Sequence, residues 1–451
     1  MTIIADLHIH SKHSRGCSTA LDIDNLERYA RMKGMGLLGT GDFTHPKWIE
    51  ELKAKLSDES GEGIYRTKTG FPFMLQTEIS LIYSSKGKGR RVHNVVLAPS
   101  IETAEQITEE LKKHGRVDYD GRPIFKIPCP DFVEMMRKVS ADVEVIPAHI
   151  WTPHFSVMGD YNQFKNMDEC FEDQTRHIHA VETGLSSDPP MNWRCSFLDK
   201  FNLVSFSDLH SFWPWRIGRE ATIFECELRY KDIIKAIRTG EGLTGTVEVD
   251  PAYGKYHYDG HRNCNVCMSP QESSAAGNRC PKCGSLVTIG VEHRVEELAD
   301  RPEGYRPADA KKFYRLLPLS ELLQHVFGKG IATKGIWDEY NKILRLGTEM
   351  EVLLERTPEE LQGVTTTKMA DAILRNREGK ITVKPGFDGV YGQPLFSEEE
   401  REYEGEQREL GTGPMPKERE KTEKEGQKGP KTPKNKEKQL KDKAQKGLMD
   451  F

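Results

Sequence analysis

The chain has 451 residues and a formal net charge of −5, with 65 basic and 70 acidic side chains. This length is enough for two or three domains, and the charge excludes a basic surface over the whole molecule, so that any nucleic-acid surface must be local. No apolar run approaches the roughly 20 residues of a membrane span, and the N-terminus lacks a basic region followed by an apolar one. We therefore expect a cytoplasmic protein whose nine cysteines do not form a disulfide framework.

Residues 1–230 alternate short apolar runs with amphipathic segments. The apolar runs are IIADLHI, MGLLGTG, FPFMLQTEISLIY, VHNVVLA, VEVIPAH, IHAVETG, NLVSFSD and TIFECEL. Between them, segments such as LDIDNLERYARMKG and CPDFVEMMRKVS have the apolar spacing of helices. This alternation predicts an α/β fold built on a parallel sheet, either closed or open.

Side chains that can bind metals lie at or just after the ends of these runs. In two runs, a pair of such residues is two positions apart, so that both would point the same way in a strand. The candidates are His8, His10, Asp42, Glu78, His93, His149, Asp208 and His210, accompanied by Asp6, His45 and Glu182. A single histidine at a strand end is usually ordinary polar packing, but seven such ends predict one shared site for Zn, Mn or Fe-type ions.

The order of the motifs LHIH, TGD, TEI, VHN, PAHI and SDLH resembles that of the PHP (polymerase and histidinol phosphatase) family. The resemblance covers residues 1–230 and implies a distorted (β/α)7 barrel with two or three metal ions that hydrolyses phosphoesters. It also implies that the eight candidates are catalytic metal ligands. SKHSRGCS lacks the acid that often follows HxH, and TGD stands where the family has TDH. Asp42 could therefore replace a histidine ligand, or His45 could supply the imidazole.

Arg216 and Arg219 in RIGRE are candidate phosphate ligands downstream of the metal site. A guanidinium can hold phosphate oxygens bidentately, although an ion pair with Glu220 or another acid explains these arginines equally well. The aromatic segments WTPHF and FWPWR adjoin candidate metal ligands, where they could stack a base or simply pack in the core. A close pair of divalent ions would activate water against an anionic phosphodiester.

A second metal site is predicted by the segment CNVCMSPQESSAAGNRCPKCG. Cys264, Cys267, Cys280 and Cys283 form two CxxC pairs twelve residues apart, the pattern of a tetrahedral structural Zn²⁺ site in a zinc ribbon. The flanking segments mix Arg, Lys, His and Tyr, so this module either contacts DNA or braces a neighbouring domain. The other cysteines, Cys17, Cys129, Cys170, Cys195 and Cys226, are expected to be ordinary buried thiols.

Residues 308–380 have helical apolar spacing in LPLSELLQHVFG, GIWDEYNKILRLGTEMEVLLE and TKMADAILRN. They predict a small helical domain, whose helices either form only a core or also grip a duplex backbone. The following KPGFDGVYG, residues 384–392, is a Gly-rich turn-and-strand piece without a functional indication. The predicted domains are therefore the barrel (1–240), the zinc-binding module (241–305) and the helical C-terminal domain (306–395).

The end of the chain combines a low-complexity segment with a short apolar motif. Residues 396–444 are too poor in apolar side chains to fold, which predicts a disordered charged linker. In the final QKGLMDF, Gln445, Leu448 and Phe451 have the spacing by which polymerase-associated proteins dock on the sliding clamp PCNA. Asp450 stands in place of the first aromatic residue of that motif, whereas the long tether would favour docking.

The complete layout resembles the endonuclease Q family of archaea. This resemblance implies a DNA-repair endonuclease that cuts 5′ of deaminated bases (uracil, hypoxanthine and xanthine) and of abasic sites. Its cofactors would be a structural Zn and two or three catalytic divalent ions (Mg, Mn or Zn). We expect a monomer that is associated with the nucleoid. Its expected partners are double-stranded DNA, single-stranded DNA as an alternative substrate, and PCNA. A PHP-type small-molecule phosphatase and a non-catalytic clamp-associated DNA-binding adaptor are the alternatives.

Overall fold

The computed structural model describes residues 1–395. Its strands are β1 (Thr2–Asp6), β2 (Leu37–Gly39), β3 (Tyr65–Arg66), β4 (Pro72–Ser85), β5 (Lys88–Ala98), β6 (Ile124–Phe125), β7 (Glu144–Pro147), β8 (Ala180–Glu182), β9 (Asn202–Val204), β10 (Ala221–Glu225), β11 (Leu243–Glu248), β12 (Asp259–His261), β13 (Val266–Met268), β14 (Lys312–Arg315), β15 (Thr382–Lys384) and β16 (Gln393–Leu395). Residues 396–451, with the predicted linker and the motif residues Gln445, Leu448 and Phe451, lie outside the described part of the chain.

The helices alternate with the strands in the first half and dominate after β14. The α-helices are α1 (Ile23–Lys33), α2 (Pro46–Lys55), α3 (Ile101–Lys112), α4 (Cys129–Val139), α5 (Met167–Phe171), α6 (Pro189–Trp193), α7 (Tyr230–Thr239), α8 (Pro270–Ala275), α9 (Val291–Leu298), α10 (Leu319–Phe327), α11 (Lys334–Ile343), α12 (Glu349–Leu354), α13 (Pro358–Val364) and α14 (Thr367–Arg377). Short 3-10 helices lie at Glu172–His177, Ser196–Leu198, Pro251–Tyr253, Arg262–Cys264 and Leu344–Leu346.

The largest element is a ten-stranded, curled sheet. Its strands follow the order β14-β11-β10-β1-β2-β4-β5-β7, and β3 and β6 both pair with β4. The strands β8 and β9 form a separate parallel pair. Two further two-stranded sheets are formed by β12 with β13, which are antiparallel, and by β15 with β16. The predicted α/β class is confirmed, as a half-barrel whose described strands do not close into a ring.

The large sheet is mixed, which corrects the prediction of a parallel sheet. The pairs β1–β2 and β2–β4 are parallel, but β1–β10, β10–β11, β4–β5 and β5–β7 are antiparallel. A tight turn at Lys86 and Gly87, both with positive φ (52° and 75°), joins β4 directly to β5 without a crossover helix. As a consequence, Glu78 and His93 lie in the middle of a long hairpin and not at strand ends.

Local sequence signals determine where the covering helices begin and end. The carboxylate of Asp22 accepts a hydrogen bond from the N–H of Asn25 at the start of α1, and Gly34 ends that helix in the left-handed conformation (φ 96°). Leu26 and Ala30 on its inner face are fully buried. Helix α7 packs in the same way against the core around β1. The two helical segments predicted before β2 and before β7 are confirmed as α1 and α4.

The helical region after β14 contains five α-helices, and GIWDEYNKILRLGTEMEVLLE forms two of them instead of one. Helix α11 ends at Ile343 and is followed by a 3-10 turn, after which Gly347 (φ 141°) breaks the helical conformation. Helix α12 then starts at a capping box of Thr348 and Glu351. These stop and start signals override the apolar spacing, which continues through the break.

Residues 1–394 form one compact unit, which spans the stretches predicted as the barrel, the zinc-binding module and, up to residue 394, the helical domain. Strands β11 and β14, from the stretches predicted as zinc module and helical domain, extend the large sheet beyond β10. KPGFDGVYG contacts the zinc module, because Asp388 accepts hydrogen bonds from Arg262 N (2.6 Å) and Thr288 Oγ1 (2.7 Å). Within residues 1–395 we find no helix with the length and apolar content needed to cross a membrane.

Candidate metal centre

Two loops that follow β1 and β9 run side by side and bring predicted ligands together. The buried Asp6 at the end of β1 accepts hydrogen bonds from the N–H groups of Ser207 and Gly218, both at 3.0 Å. The His10 N–H donates to the Leu209 carbonyl at 3.1 Å, which aligns the His-x-His and Asp-x-His segments. Through these two hydrogen bonds, the carboxylate of Asp6 joins the two loops at the base of the site. Burial raises its pKa to about 6.

The first group of possible metal ligands comprises His8, His10, Glu78 and Asp208, whose ligand atoms all lie within 4.8 Å of one another. His8 Nε2 is 3.5 Å from Glu78 Oε2 and 3.6 Å from Asp208 Oδ1. His10 Nε2 is 3.2 Å from the same Glu78 oxygen and 3.1 Å from the same Asp208 oxygen. Two imidazole nitrogens therefore converge on two carboxylate oxygens.

The second group comprises Glu78, His93 and His149. His93 Nδ1 is 2.7 Å from Glu78 Oε1, and His149 Nε2 is 3.4 Å from that oxygen. Because Glu78 Oε2 faces the first group, the two carboxylate oxygens of this residue serve two adjacent sites. Two-metal hydrolases hold their ions about 3.5–4 Å apart, and a shared carboxylate suits that spacing.

The donor atoms of these groups fit divalent ions. The Nδ1–H of His8 donates to Glu182 Oε1 at 2.9 Å, and that of His10 donates to Asp42 Oδ1 at 3.2 Å. Each ring is thereby held with its Nε2 toward carboxylates, the arrangement found behind metal-binding histidines. His8 Nε2 is buried without a hydrogen-bond partner, which is costly unless a cation binds there.

The electrostatics of the two groups also favour a cation. Burial opposes the charged form of Glu78, yet His93 and Arg122 hold the pKa of this carboxyl well below its usual value. Burial opposes protonation of His8 as well, but the surrounding carboxylates, Glu182 foremost, raise its pKa well above 6.5. The buried negative charge therefore attracts a proton, and a divalent ion would take its place.

Three of the candidate residues have left-handed backbone angles: Asp42 (φ 42°), His149 (φ 33°) and Asp208 (φ 46°). Such conformations cost about 1–3 kcal/mol each in residues other than glycine. Each of the three lies shortly after a strand, where the chain must turn sharply to aim its side chain inward. We interpret this strain as a consequence of assembling donors from separate strands at one point.

Asp42 lies behind His10 and outside both groups. Its Oδ2 accepts hydrogen bonds from Ser11 N (2.7 Å), Ser11 Oγ (2.6 Å) and Ser14 Oγ (2.9 Å). Burial would raise the pKa of Asp42, but the hydrogen bond from His10 leads the contacts that lower it. The geometry therefore favours Asp42 as the residue that orients the His10 ring, and not as the direct metal ligand that the TGD motif suggested.

Asp42→Asn should weaken divalent-metal binding about 10–100-fold while leaving the number of bound ions unchanged. The amide cannot accept the three hydrogen bonds from Ser11 and Ser14 and also the one from the His10 ring, as the carboxylate does, so the ring loses its fixed orientation. Calorimetric titration gives the affinity, and elemental analysis gives the stoichiometry. Asp118→Asn, at an exposed carboxylate paired with Arg116, is the control. Loss of one whole ion per chain would instead identify Asp42 as a ligand.

His210 and His45 lie near the first group without belonging to it. The His210 ring lies 4.5 Å from the His10 ring, and its Nδ1 donates to the Asp208 carbonyl at 3.1 Å. Its Nε2 is buried without a hydrogen-bond partner, and burial lowers the pKa of His210 to about 4, so this unprotonated nitrogen has a lone pair that can bind a metal ion. His45 instead stacks on His13, with ring centroids 4.2 Å apart.

The two predicted phosphate-binding arginines are engaged outside the metal groups. Arg219 is buried and donates through Nε (3.2 Å) and Nη2 (3.0 Å) to the Ser207 carbonyl. Arg216 Nη1 is 3.5 Å from Glu321 Oε1, and its guanidinium lies 5.3 Å from the ring centroid of Tyr391. These contacts agree with the ion-pair alternative for Arg216, with Glu321 as the acid.

Two residues that the sequence pattern did not place in the ligand set contact it directly. Arg122 Nη1 donates to Glu78 Oε2 at 3.1 Å, and no strand end or motif marks this arginine in the sequence. Glu182 ends β8 as predicted, and it accepts hydrogen bonds from His8 Nδ1 and from the N–H of His149 at 2.7 Å. The position of Glu182 at a strand end was the available signal, but it orients histidines and is not a member of either group.

The aromatic segments next to the candidate ligands have different surroundings. Trp151 is buried, and its Nε1 donates to Asn192 Oδ1 at 2.8 Å, so it is a core residue. Trp213 and Trp215 are half-buried and stack in parallel with centroids 5.3 Å apart, and Trp337 in α11 lies 5.6 Å from Trp213. This cluster packs the loop after β9 against the helical region.

A third group lies in the predicted zinc module and comprises His261, Cys264, Cys280 and Cys283, with ligand atoms within 4.8 Å of one another. His261 Nδ1 is 3.3 Å from Cys283 Sγ. Cys267 lies outside this group, with its Sγ 3.9 Å from the Pro385 carbonyl. His261 is therefore a candidate ligand that the CxxC pattern did not indicate. Of the other thiols, Cys129, Cys170 and Cys195 are buried as predicted, but Cys17 and Cys226 are half-buried.

Cys280→Ser should remove about one zinc ion per chain, because its thiolate belongs both to the four-cysteine set and to the group with His261. Elemental analysis of the purified variant measures this loss. His261→Ala and Cys267→Ser, compared in the same way, identify the fourth ligand as the residue whose change also releases zinc. Cys226→Ser is the matched control. Full zinc content in Cys280→Ser would contradict the site.

The chain is similar to known proteins along most of its length. Residues 318–380 match the family described as the MJ0043 C-terminal domain. The uncharacterized protein YqxK of Bacillus subtilis is 30% identical over 412 residues, which cover 87% of this chain and 98% of that protein. The uncharacterized protein MJ0043 of Methanocaldococcus jannaschii is 32% identical over 53% of this chain, which spans only 31% of that protein's length. The relatives thus include a bacterial as well as an archaeal protein.

Two solved structures have the same fold as this chain. The lesion-specific endonuclease PfuEndoQ from Pyrococcus furiosus is 31% identical, with a TM-score of 0.79, and the match covers 88% of this chain and 96% of that one. Endonuclease Q in complex with a 27-mer duplex substrate that has an abasic lesion at the active site is 31% identical, with a TM-score of 0.80, over 88% and 98% of the two chains. The family resemblance inferred from the complete layout of the chain is therefore confirmed, and the chain belongs to the endonuclease Q family.

Proposed function

We propose that this protein is a metal-dependent DNA endonuclease that hydrolyses the phosphodiester bond 5′ of deaminated bases and of abasic sites. The proposal rests chiefly on the two ligand groups that share Glu78, in a chain whose fold matches a lesion-specific endonuclease. A phosphodiester repels hydroxide, so its hydrolysis needs charge neutralisation and an activated water together. Uracil, hypoxanthine and xanthine are the deaminated bases that we expect as substrates.

The proposed ligands form two sites. One divalent ion would be held by His8, His10, Glu78 and Asp208, and another by Glu78, His93 and His149. When bound, Mg, Mn or Zn would supply a water of lowered pKa and neutralise charge on the phosphate. Glu182 and Asp42 hold the His8 and His10 rings in place through their Nδ1–H groups, and His210 offers a further nitrogen beside the first group.

The more exposed side chains in and beside the two ligand groups mark the side from which DNA must approach. Side-chain exposure is 25% for Asp208, 21% for His210, 19% for Arg122 and 11% for His149, whereas Glu78 is fully buried. A phosphate therefore enters through the mouth formed by these four residues. We propose that the damaged nucleotide leaves the base stack as its phosphate enters, since this costs least where pairing is already weak.

The remaining segments are assigned by the same proposal to DNA binding and to recruitment. The zinc-binding module and the helical C-terminal region would hold the duplex. The protein would act as a monomer in the cytoplasm, associated with the nucleoid. The terminal Gln445, Leu448 and Phe451 would dock on the sliding clamp PCNA, and the charged segment 396–444 would tether the enzyme there. The support for clamp docking is the sequence of these residues.

A nicking assay tests the proposal. End-labelled duplexes that carry uracil, hypoxanthine, an abasic site or no lesion are incubated with the full chain and Mg²⁺, Mn²⁺ or EDTA. We expect a single cut 5′ of each lesion, no cut in the intact duplex, and complete inhibition by EDTA. A shift of the cut to the 3′ side, or cutting in EDTA, would contradict the proposed chemistry.

Two other outcomes would replace the proposal. Rapid hydrolysis of free phosphomonoesters without any DNA cleavage would identify a small-molecule phosphatase that uses the same ligand groups. Binding of the lesion duplexes without cleavage under all metal conditions would identify a non-catalytic adaptor. Zinc analysis of the same preparation ensures that the zinc-binding module is loaded when these outcomes are compared.

A further inference from the structure

Arg122 is a cation at the mouth of the metal centre. Its side chain is 19% exposed and donates through Nη1 to the buried Glu78 Oε2 at 3.1 Å. Within the described part of the chain, it is the one lysine or arginine that forms an ion pair with a member of the first or second group. The hydrogen bond to Glu78 occupies one of its five N–H donors, which leaves donors that can face an incoming anion.

The backbone around Arg122 is held against the loop that carries the first two histidines. The Arg122 N–H donates to Asp120 Oδ1 at 3.2 Å, and the Gly121 N–H donates to the His13 carbonyl at 3.0 Å. Gly121 approaches Asp42 so closely that an added Cβ would clash with its carboxylate. The guanidinium is therefore positioned before substrate arrives, so that little freedom is lost when it binds an anion.

The mouth of the site needs positive charge when a phosphodiester enters. Asp208 contributes a carboxylate and His210 an imidazole to that mouth, with side-chain exposures of 25% and 21%. Arg216 and Arg219, the arginines predicted to bind phosphate, are paired with Glu321 and with the Ser207 carbonyl. Arg122 is thus the arginine whose position and free donors suit a phosphate at the metal centre.

We infer that Arg122 binds a non-bridging oxygen of the scissile phosphate and stabilises the negative charge that grows there during hydrolysis. The inference rests on the proposed function. Nη1 keeps its hydrogen bond to Glu78, and the donors on the exposed side of the guanidinium contact the phosphate. No proton is transferred, because arginine stays charged throughout the accessible pH range. The contact tightens as charge develops on the phosphate oxygens.

Arg122→Ala and Arg122→Lys, compared in single-turnover cleavage of an abasic-site duplex, test this inference. We expect Arg122→Ala to lower the cleavage rate about 10²–10³-fold, with metal content unchanged. Lysine keeps the charge but loses the fork of donors, so it should restore only part of the rate. Arg116→Ala is the control, because Arg116 lies in the same loop region and forms an exposed ion pair with Asp118.

Phosphorothioate substrates give a readout that a purely structural role would not change. Sulfur replaces one non-bridging oxygen of the scissile phosphate, in each of the two diastereomers separately. In one diastereomer the sulfur weakens the hydrogen bond from arginine, so the penalty of Arg122→Ala should shrink at least about fivefold relative to the oxygen substrate. Equal penalties for both diastereomers and for the oxygen substrate would overturn direct contact with the phosphate.

The outcomes separate this inference from the proposed function. If wild-type protein cleaves and Arg122→Ala cleaves equally fast, the inference alone fails. If Arg122→Ala loses bound metal or melting temperature in proportion to its loss of rate, Arg122 is only a structural counter-ion of Glu78 and the inference fails as well. If wild-type protein cleaves no duplex, the proposed function fails and the inference with it.

Discussion

Asp208→Asn is expected to lower the cleavage rate of an abasic-site duplex by at least about 10³-fold. Asp208 Oδ1 lies 3.6 Å from His8 Nε2 and 3.1 Å from His10 Nε2, where the first group converges. Burial opposes its charge, but His8 and His10 hold its pKa well below the usual value, so it is ionised throughout the neutral range. The asparagine amide lacks this charge and binds a divalent ion far more weakly. Single-turnover kinetics at saturating Mg²⁺ or Mn²⁺ measures the rate.

Asp168→Asn is the matched control, because Asp168 is an exposed aspartate whose carboxylate contacts Lys200 at 3.0 Å. It should cleave at the wild-type rate. Thermal melting of Asp208→Asn shows whether the variant is folded, and metal analysis shows whether the first site has lost affinity. Cleavage by folded Asp208→Asn at the wild-type rate would exclude this residue from the metal centre and refute the ligand assignment.

Lys33→Met is expected to lower the free energy of unfolding by about 3–5 kcal/mol. The side chain of Lys33 is 1% exposed, and its Nζ lies 2.6 Å from Glu349 Oε1 and 3.0 Å from the Pro214 carbonyl. Glu349 is fully buried and also accepts hydrogen bonds from Tyr340 Oη (2.7 Å) and Leu319 N (3.0 Å). Methionine fills the space of lysine but leaves this carboxylate without a counter-charge. Urea unfolding followed by circular dichroism measures the change.

Lys55→Met is the control for this loss, because Lys55 pairs with Asp24 at 2.6 Å on the surface. Exposed ion pairs contribute at most about 1 kcal/mol, so the control should unfold nearly as the wild type does. The double variant Lys33→Met/Glu349→Gln should recover part of the loss, since it removes the unpaired charge. If Lys33→Met and Lys55→Met had the same free energy of unfolding, the buried ion pair between α1 and α12 would not stabilise the fold.

Much of the fold could be predicted from the sequence, because its strands and helices are marked by short-range signals. Apolar runs, N-cap residues such as Asp22 and left-handed glycines such as Gly34 act over a few residues, and the observed elements follow them. The hairpin β4–β5 was the main error. Its two runs read as separate strands of a parallel sheet, and the Lys86–Gly87 turn that makes them antiparallel was not recognised as a turn signal.

The candidate site could be predicted as a set of residue types but not as an arrangement. His8, His10, Glu78, His93, His149 and Asp208 were identified, and the structure brings these six together. Asp42 has the same chemistry but hydrogen-bonds to the far side of His10. Its position behind His10 depends on the turn after β2, which spacing along the sequence does not reveal. Arg122 was missed because a lone arginine in a loop has no periodicity or partner within its own segment.

The amino-acid sequence by itself determined the α/β class, the residue types of two candidate metal sites and the family, since each depends on composition and spacing along the chain. The tertiary structure decided which candidate donors converge on one point, because Glu78 meets His8 and His10 through one oxygen and His93 and His149 through the other. It also decided that Lys33 pairs with Glu349, 316 residues away. Contacts between distant segments follow from how strands pair and pack, and these long-range contacts leave no local pattern in the sequence.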